Sequence, residues 1–155
     1  MWAQNGLGDV SLRLGNLAEA NGAYTRALEL AERRLVADPS NSQWQRDLSV
    51  SHERIGDTQR AQGDLAGALK SYQACMAIRQ KLAASDASNS EWQTDVAVSA
   101  WKIGTLKGSP QSAAERRVVL VQGLNVLDSL AQRQLLAPTR ARWPEMFRKV
   151  IAELQ

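Results

Sequence analysis

Few side chains in this sequence have the types and spacing that catalysis requires. His52 is the only histidine, and Ser51 and Asp47 lie close to it in the chain. Within one helix, Ser51 and His52 would project about 100° apart and could not form a nucleophile–base pair unaided. We therefore expect His52 to be a packing residue and the protein to have no enzymatic activity.

Two further features that are typical of ligand sites are incomplete. Cys75 is the single cysteine, which excludes an intrachain disulfide and a cysteine-based zinc site. It stands in an apolar row of residues, which predicts a place in the core. The run Gly6-Leu7-Gly8 lacks the third glycine and the preceding strand of a phosphate-binding loop. No carboxylates are spaced to converge on His52, so we expect neither a metal nor a cofactor.

Composition and charge narrow the classes of partner. Hydrophobic residues make up 44% of the chain and charged residues 23%, as in ordinary globular proteins. No stretch approaches the roughly 20 apolar residues of a membrane helix, and the start shows no signal peptide. We therefore expect a cytoplasmic protein with no membrane partner.

The end of the chain is basic. Residues 100–155 carry 9 basic and 4 acidic side chains, whereas residues 1–99 carry 10 and 12. No nucleic-acid-binding motif accompanies this charge, so we interpret it as a solvated terminal segment rather than a nucleic-acid site.

A repeat of 48 residues organises the chain. The segment at 41–47 returns nearly unchanged at 89–95. Gly8, Gly56 and Gly104 follow one another at the same spacing of 48 residues. A fixed period of this length is typical of architectures in which each unit packs on its neighbours. The predicted single domain has repeats at about 1–40, 41–88 and 89–137 and a capping helix at about 141–154.

Each repeat is predicted to form two helices, A and B. In the second repeat, apolar and small residues recur every three or four positions over residues 44–62 and again over residues 65–84, which is helical periodicity. Gly56 lies inside helix A at a cost of roughly 1 kcal/mol relative to alanine. We therefore expect helix B to pack closely against its backbone. No segment alternates as a strand would.

Capping patterns mark the ends of these helices. Ser42 and Ser90 each stand three residues before a glutamine, and Ser112 stands three residues before Glu115. This is the capping-box pattern that satisfies two backbone amides at a helix start. Gly63 can adopt the left-handed conformation that ends helix A.

The pattern resembles the tetratricopeptide repeat. That family places a small residue in helix A and, at fixed spacing in helix B, two further small residues with an aromatic residue between them. Here these positions hold Gly8, Ala20, Tyr24 and Ala27 in the first repeat, and Gly56, Ala68, Tyr72 and Cys75 in the second. The ordinary repeat has about 34 residues, so this chain resembles the long-helix variant found in kinesin light chains.

The resemblance implies an all-α fold, a right-handed superhelix of antiparallel helix pairs with a C-terminal capping helix. It also implies a non-catalytic module that holds a peptide or protein segment in a concave groove formed by the A helices. The groove positions carried over from the family are Trp2, Asn5, Asp9, Leu12, Arg13, Val50, Glu53, Asp57, Arg60, Val98, Trp101 and Thr105.

Trp101 is the first choice as an anchor for a partner, because exposed Trp and Arg side chains most often dominate interfaces. The alternative for Trp101 is packing against neighbouring helices. The charge of the groove is mixed, which suits a peptide with basic and apolar residues.

A second hypothesis is structural. The chain would then be a spacer or a homo-oligomerisation module of a larger multidomain signalling protein. The counterpart of Trp44 in the first repeat would fall before Met1. We therefore expect the chain to be a fragment of a longer array, with upstream repeats or an effector domain before Met1; the alternative is that the first helix is simply short.

Overall fold

Helices make up the body of the protein. The computed structural model describes residues 2–154, with side chains from residue 6 onwards. Within this range it contains seven α-helices, one 3-10 helix at Pro138–Arg140 and no strand. The α-helices are α1 (Trp2–Arg13), α2 (Leu17–Ala37), α3 (Ser42–Ala61), α4 (Leu65–Ser85), α5 (Ser90–Gly104), α6 (Ala113–Gln132) and α7 (Trp143–Glu153). The predicted all-helical class is confirmed, and α3 and α4 agree with the predicted helices to within two residues at each end.

Contacts between Cα atoms divide the chain into two compact units, Met1–Ile78 and Arg79–Gln155. In the first unit, α2 packs against both α1 and α3, and in the second, α6 packs against both α5 and α7. The boundary falls inside α4, so that helix contributes its first part to one unit and its last part to the other. None of the boundaries predicted from the repeat coincides with it.

The start of α3 is capped by an asparagine. The side-chain oxygen of Asn41 accepts a hydrogen bond from the backbone N–H of Trp44 at 3.1 Å. The capping box predicted at Ser42 is therefore wrong by one position, because Ser42 is already the first helical residue. The amide of Gln45 does not reach back to the helix start either; it donates to the carbonyl of Pro39 at 2.7 Å.

The starts of α5 and α6 follow the same chemistry. Asn89, not Ser90, caps α5 and accepts from the backbone N–H of Trp92 at 3.1 Å. The capping box predicted at Ser112 is confirmed, since its hydroxyl accepts from the backbone N–H of Glu115 and the Glu115 carboxylate accepts from the N–H of Ser112. Each cap satisfies amides that would otherwise have no partner at a helix start.

Glycines allow the two helices of each pair to approach closely. The pairs are Gly8 with Tyr24, Gly56 with Tyr72, and Gly104 with Leu120. A Cβ atom placed on Gly56 would lie 2.6 Å from Cε1 of Tyr72, which is too close for any side chain. The expectation that helix B packs against the backbone of helix A is therefore confirmed, and Tyr24 and Tyr72 are almost fully buried.

The second unit contains a buried arginine. Arg79 is only 5% exposed, and its Nη1 donates to the hydroxyl of Ser99 at 2.9 Å and to the backbone carbonyl of Asp95 at 3.3 Å. These hydrogen bonds join the end of α4 to α5, and they explain how a charged residue fits in the otherwise apolar inward row of α4. Cys75, in the first unit, is buried as its apolar surroundings predicted.

Helix α7 closes the side of the second unit formed by α5 and α6. Phe147 of α7 is 2% exposed and lies against Gly123, where a Cβ would be 2.7 Å from the phenyl ring. Arg148 Nη2 donates to both carboxylate oxygens of Asp128, at 2.7 and 2.9 Å. Across residues 2–154, no helix is both long enough and apolar enough to cross a lipid bilayer.

We expect Gly56→Ala to destabilise the protein by about 1–3 kcal/mol, although alanine favours a helix, because the added methyl group would displace the Tyr72 ring. The matched control is Gly22→Ala in α2, where the nearest atom to the new methyl is the flexible end of Arg26 at 3.5 Å. That change should stabilise by roughly 0.5–1 kcal/mol. Urea unfolding followed by circular dichroism measures both. Equal stabilisation by the two changes would contradict the close helix approach.

Candidate functional site

The predicted binding residues are distributed over both units. In the first unit they are Asp9, Leu12 and Arg13 on α1 and Val50, Glu53, Asp57 and Arg60 on α3; in the second they are Val98 and Trp101 on α5 and Thr105 just after it. Trp2 and Asn5 belong to α1, but their side chains lie outside the described residues. Arg13 and Arg60 are exposed, whereas Glu53 is half-buried.

Asp9 and Asp57 hold tyrosines in place. The hydroxyl of Tyr24 donates to Oδ1 of Asp9 at 2.7 Å, and the hydroxyl of Tyr72 donates to Oδ1 of Asp57 at the same distance. Asp9 also lies 3.5 Å from Nε of Arg54 on α3. These two carboxylates therefore link the helices of their own repeat.

The tyrosine hydrogen bond could have been read from the sequence. Asp and Tyr are separated by 15 residues in the first two repeats, and in the third repeat both change together, to Thr105 and Leu120. The Thr105 hydroxyl instead donates to the backbone carbonyl of Trp101 at 2.7 Å. A joint change at two positions of a repeat indicates that their side chains interact, and this signal was missed.

Burial is the largest cause that raises the pKa of the Tyr24 and Tyr72 hydroxyls above the ordinary value. The hydrogen bonds to Asp9 and Asp57 raise both pKa values further, because ionisation would place a phenolate beside a carboxylate. Both tyrosines therefore stay protonated at a pH where an exposed tyrosine would ionise.

An apolar cavity opens beside Trp101 in the second unit. Its volume is about 260 Å³, and it lies between α5 and α7. The residues that line it are Ala97, Val98, Trp101, Lys102, Trp143, Met146 and Phe147. Trp101 is half-buried, and its ring centroid lies 5.0 Å from that of Phe147 with the ring planes tilted by 50°. Trp101 thus packs against a neighbouring helix and also forms part of an open surface.

The cavity brings together predicted and unpredicted residues. Val98 and Trp101 were expected at a binding surface, whereas Trp143 and Phe147 were expected only as the apolar face of the capping helix. Met146, which is 47% exposed, was not singled out at all. Nothing in the sequence spacing indicates that α5 and α7 approach each other, so the cavity could not be derived from it.

Three basic side chains lie in or next to this apolar surface. Among the described residues that line the cavity, Lys102 is the one with a charged side chain. The guanidinium carbon of Arg140 lies 5.4 Å from the centroid of the Trp143 ring, a cation–π arrangement. Arg142, directly before Trp143, is exposed.

The residues considered for catalysis do not form a reactive group in the described part of the chain. The hydroxyl of Ser51 donates to the backbone carbonyl of Asp47 at 3.1 Å. His52 is half-buried, and burial lowers its pKa, with Glu32 opposing this shift. Within the described residues, no three His, Cys, Asp or Glu side chains are grouped to hold a metal ion.

We expect Tyr72→Phe and Tyr24→Phe each to destabilise the protein by about 1–2 kcal/mol, because each removes a hydrogen bond to a partly buried carboxylate. The wild type should also lose stability as the pH rises above about 10. Unfolded tyrosine ionises there while the folded hydroxyl keeps its proton, so the unfolded state is favoured.

The double Tyr→Phe variant should show a shallower loss of stability between pH 9 and pH 11, measured as urea midpoints. The two proteins differ only at these two hydroxyl groups, so the difference between their curves reports the tyrosines. Parallel curves for the two proteins would show that these hydrogen bonds do not control the ionisation.

No protein-family model matches the chain, and a search of curated proteins finds no match. The resemblance to tetratricopeptide repeats rests on the residues and spacings given above.

Proposed function

We propose that this chain is a tetratricopeptide-like protein-interaction module that binds a peptide or protein segment and catalyses no reaction. In this proposal the helix pairs stack as a right-handed superhelix, and the A helices form the binding surface. The repeated glycine contacts support the proposal, because they recur at the positions where that family carries small residues.

The observation that carries the binding proposal is the cavity beside Trp101. Binding is favoured when an apolar side chain of a ligand displaces water from an apolar surface that is partly open to solvent. Tryptophan and its neighbours are typical of the centre of an interface, where a few large side chains supply most of the binding energy. A single apolar residue of the partner would enter the cavity. On the first unit, Arg60 and Glu53 stay predicted positions for polar contacts.

Selection from a random-peptide display library on the full chain tests this proposal. Replacing Trp101 with alanine should lower the affinity for the selected peptides by about 30-fold or more, which is the effect of removing a central interface residue. The matched control is Trp92→Ala on the same helix, which changes a half-buried tryptophan that does not line the cavity. It should leave affinity within about threefold.

Trp101 also contacts Phe147, so its replacement could disturb the structure. A second variant therefore tests the cavity without that contact. Met146→Ala removes an exposed side chain from the cavity wall and should weaken binding with an unchanged circular dichroism spectrum. Full affinity in both Trp101→Ala and Met146→Ala would rule out the cavity as the binding surface.

Self-association is the second candidate function, either alone or as part of a spacer in a larger multidomain signalling protein. The observation that favours it is an apolar row on and just after α1, where Leu7, Val10 and Leu14 are 43%, 53% and 80% exposed. At the positions that correspond to Val10, Thr58 is fully buried and Leu106 is 4% exposed. A second copy would cover this row as other helices cover its counterparts.

Sedimentation velocity at two protein concentrations distinguishes the candidates. A sedimentation coefficient that rises with concentration in the wild type, and does not rise in Val10→Glu, would support self-association through α1. A constant value for both proteins would leave the peptide-binding proposal as the explanation for the exposed apolar surfaces.

A further inference from the structure

Met146 is the most exposed sulfur-containing residue in the described part of the chain. It is 47% exposed, whereas Met76 is 6% exposed and Cys75 is 1% exposed. Met1 lies outside the described residues. An oxidant in solution reaches an exposed sulfur directly, but it reaches a buried one only when the surrounding helices open. Among the described sulfur atoms, that of Met146 is therefore the one that an oxidant meets first.

The exposure of Met146 follows from its position in α7. Phe147, the next residue, is 2% exposed and packs against Gly123 of α6. Successive residues of an α-helix point about 100° apart, so Met146 does not point in the same direction as Phe147. It lies instead in the wall of the cavity that Trp101 and Trp143 also line. The thioether is thus both accessible to solvent and part of an apolar surface.

Oxidation of a thioether changes its polarity and leaves the backbone intact. A hydroperoxide transfers one oxygen atom to the sulfur: a sulfur lone pair forms the new S–O bond, the O–O bond breaks, and water or an alcohol leaves. The product, methionine sulfoxide, carries a hydrogen-bond acceptor where the side chain was apolar. A dithiol-dependent methionine sulfoxide reductase reverses the reaction, because the dithiol is oxidised to a disulfide and the oxygen leaves as water.

We propose that Met146 is a reversible oxidation site for hydroperoxides and that its sulfoxide makes the wall of the cavity beside Trp101 polar. In the free protein the new oxygen is hydrated, because Met146 is about half exposed, so oxidation leaves the fold unchanged. When an apolar side chain enters the cavity, the oxygen loses this water, which costs free energy. Oxidation therefore lowers the affinity for an apolar partner. This last consequence rests on the proposed function, whereas the oxidation itself does not.

The site is tested by adding hydrogen peroxide to the full folded chain. Peptide mapping by mass spectrometry measures the gain of oxygen at each methionine over time. Met146 should be oxidised at least about tenfold faster than Met76, because Met76 reacts only when its surroundings open. The helical circular dichroism spectrum should stay unchanged when Met146 is oxidised and Met76 is not. Equal rates at the two positions would overturn the assignment.

Tryptophan fluorescence tests the change in polarity without any peptide. Peroxide should shift the emission of the wild type to longer wavelength, because Met146 shares the cavity wall with two indole rings. Met146→Leu has no sulfur at this position and should show no shift, and the reductase should reverse the shift in the wild type. The matched control, Met76→Leu, keeps Met146 and should respond as the wild type does. A shift that persists in Met146→Leu would overturn the proposal.

The effect on binding is measured with peptides selected on the untreated chain. Peroxide should lower the affinity of the wild type by about tenfold, and it should leave Met146→Leu at its own untreated value. Full affinity in the oxidised wild type would overturn the proposed effect on the partner. If no peptide is selected, the proposed function fails separately, and the mapping and the fluorescence still decide whether Met146 is the oxidation site.

Discussion

The closeness of helix A to helix B within each repeat is the constraint on which the rest of the structure depends. Gly56 has no side chain, so the ring of Tyr72 can lie directly on the backbone of α3. At this distance the hydroxyl of Tyr72, which belongs to α4, reaches the carboxylate of Asp57 on α3. One missing methyl group therefore makes possible both the apolar contact and the hydrogen bond that orients it, and Gly8 with Tyr24 repeats the arrangement.

Local features could be predicted because local rules determine them. The period of the apolar residues located α3 and α4, and a glycine inside a helix indicated a close neighbour. The helix caps were predicted only in part. Asparagine and serine both accept from a backbone amide, and at 41–42 the two stand side by side, so that composition alone does not decide which residue lies outside the helix.

The candidate site was harder to predict because it depends on how distant helices meet. Trp101 and Phe147 are 46 positions apart, and the repeat relates neither to the other. Sequence reasoning treated each as a member of its own helix. The cavity that both residues line is what remains after Phe147 has packed against Gly123, and such a cavity is a property of the assembled helices rather than of any residue type.

The tyrosine contacts also bear on how quickly the chain can fold. Asp9 and Tyr24 are 15 residues apart, as are Asp57 and Tyr72, while Arg79 and Ser99 are 20 apart. Chains dominated by such short-range contacts fold within microseconds to milliseconds, because little loop entropy is lost before the first contacts form. Each hydrogen bond between a tyrosine and an aspartate can thus form once its own helical hairpin has left the ribosome, before the following repeat has been synthesised.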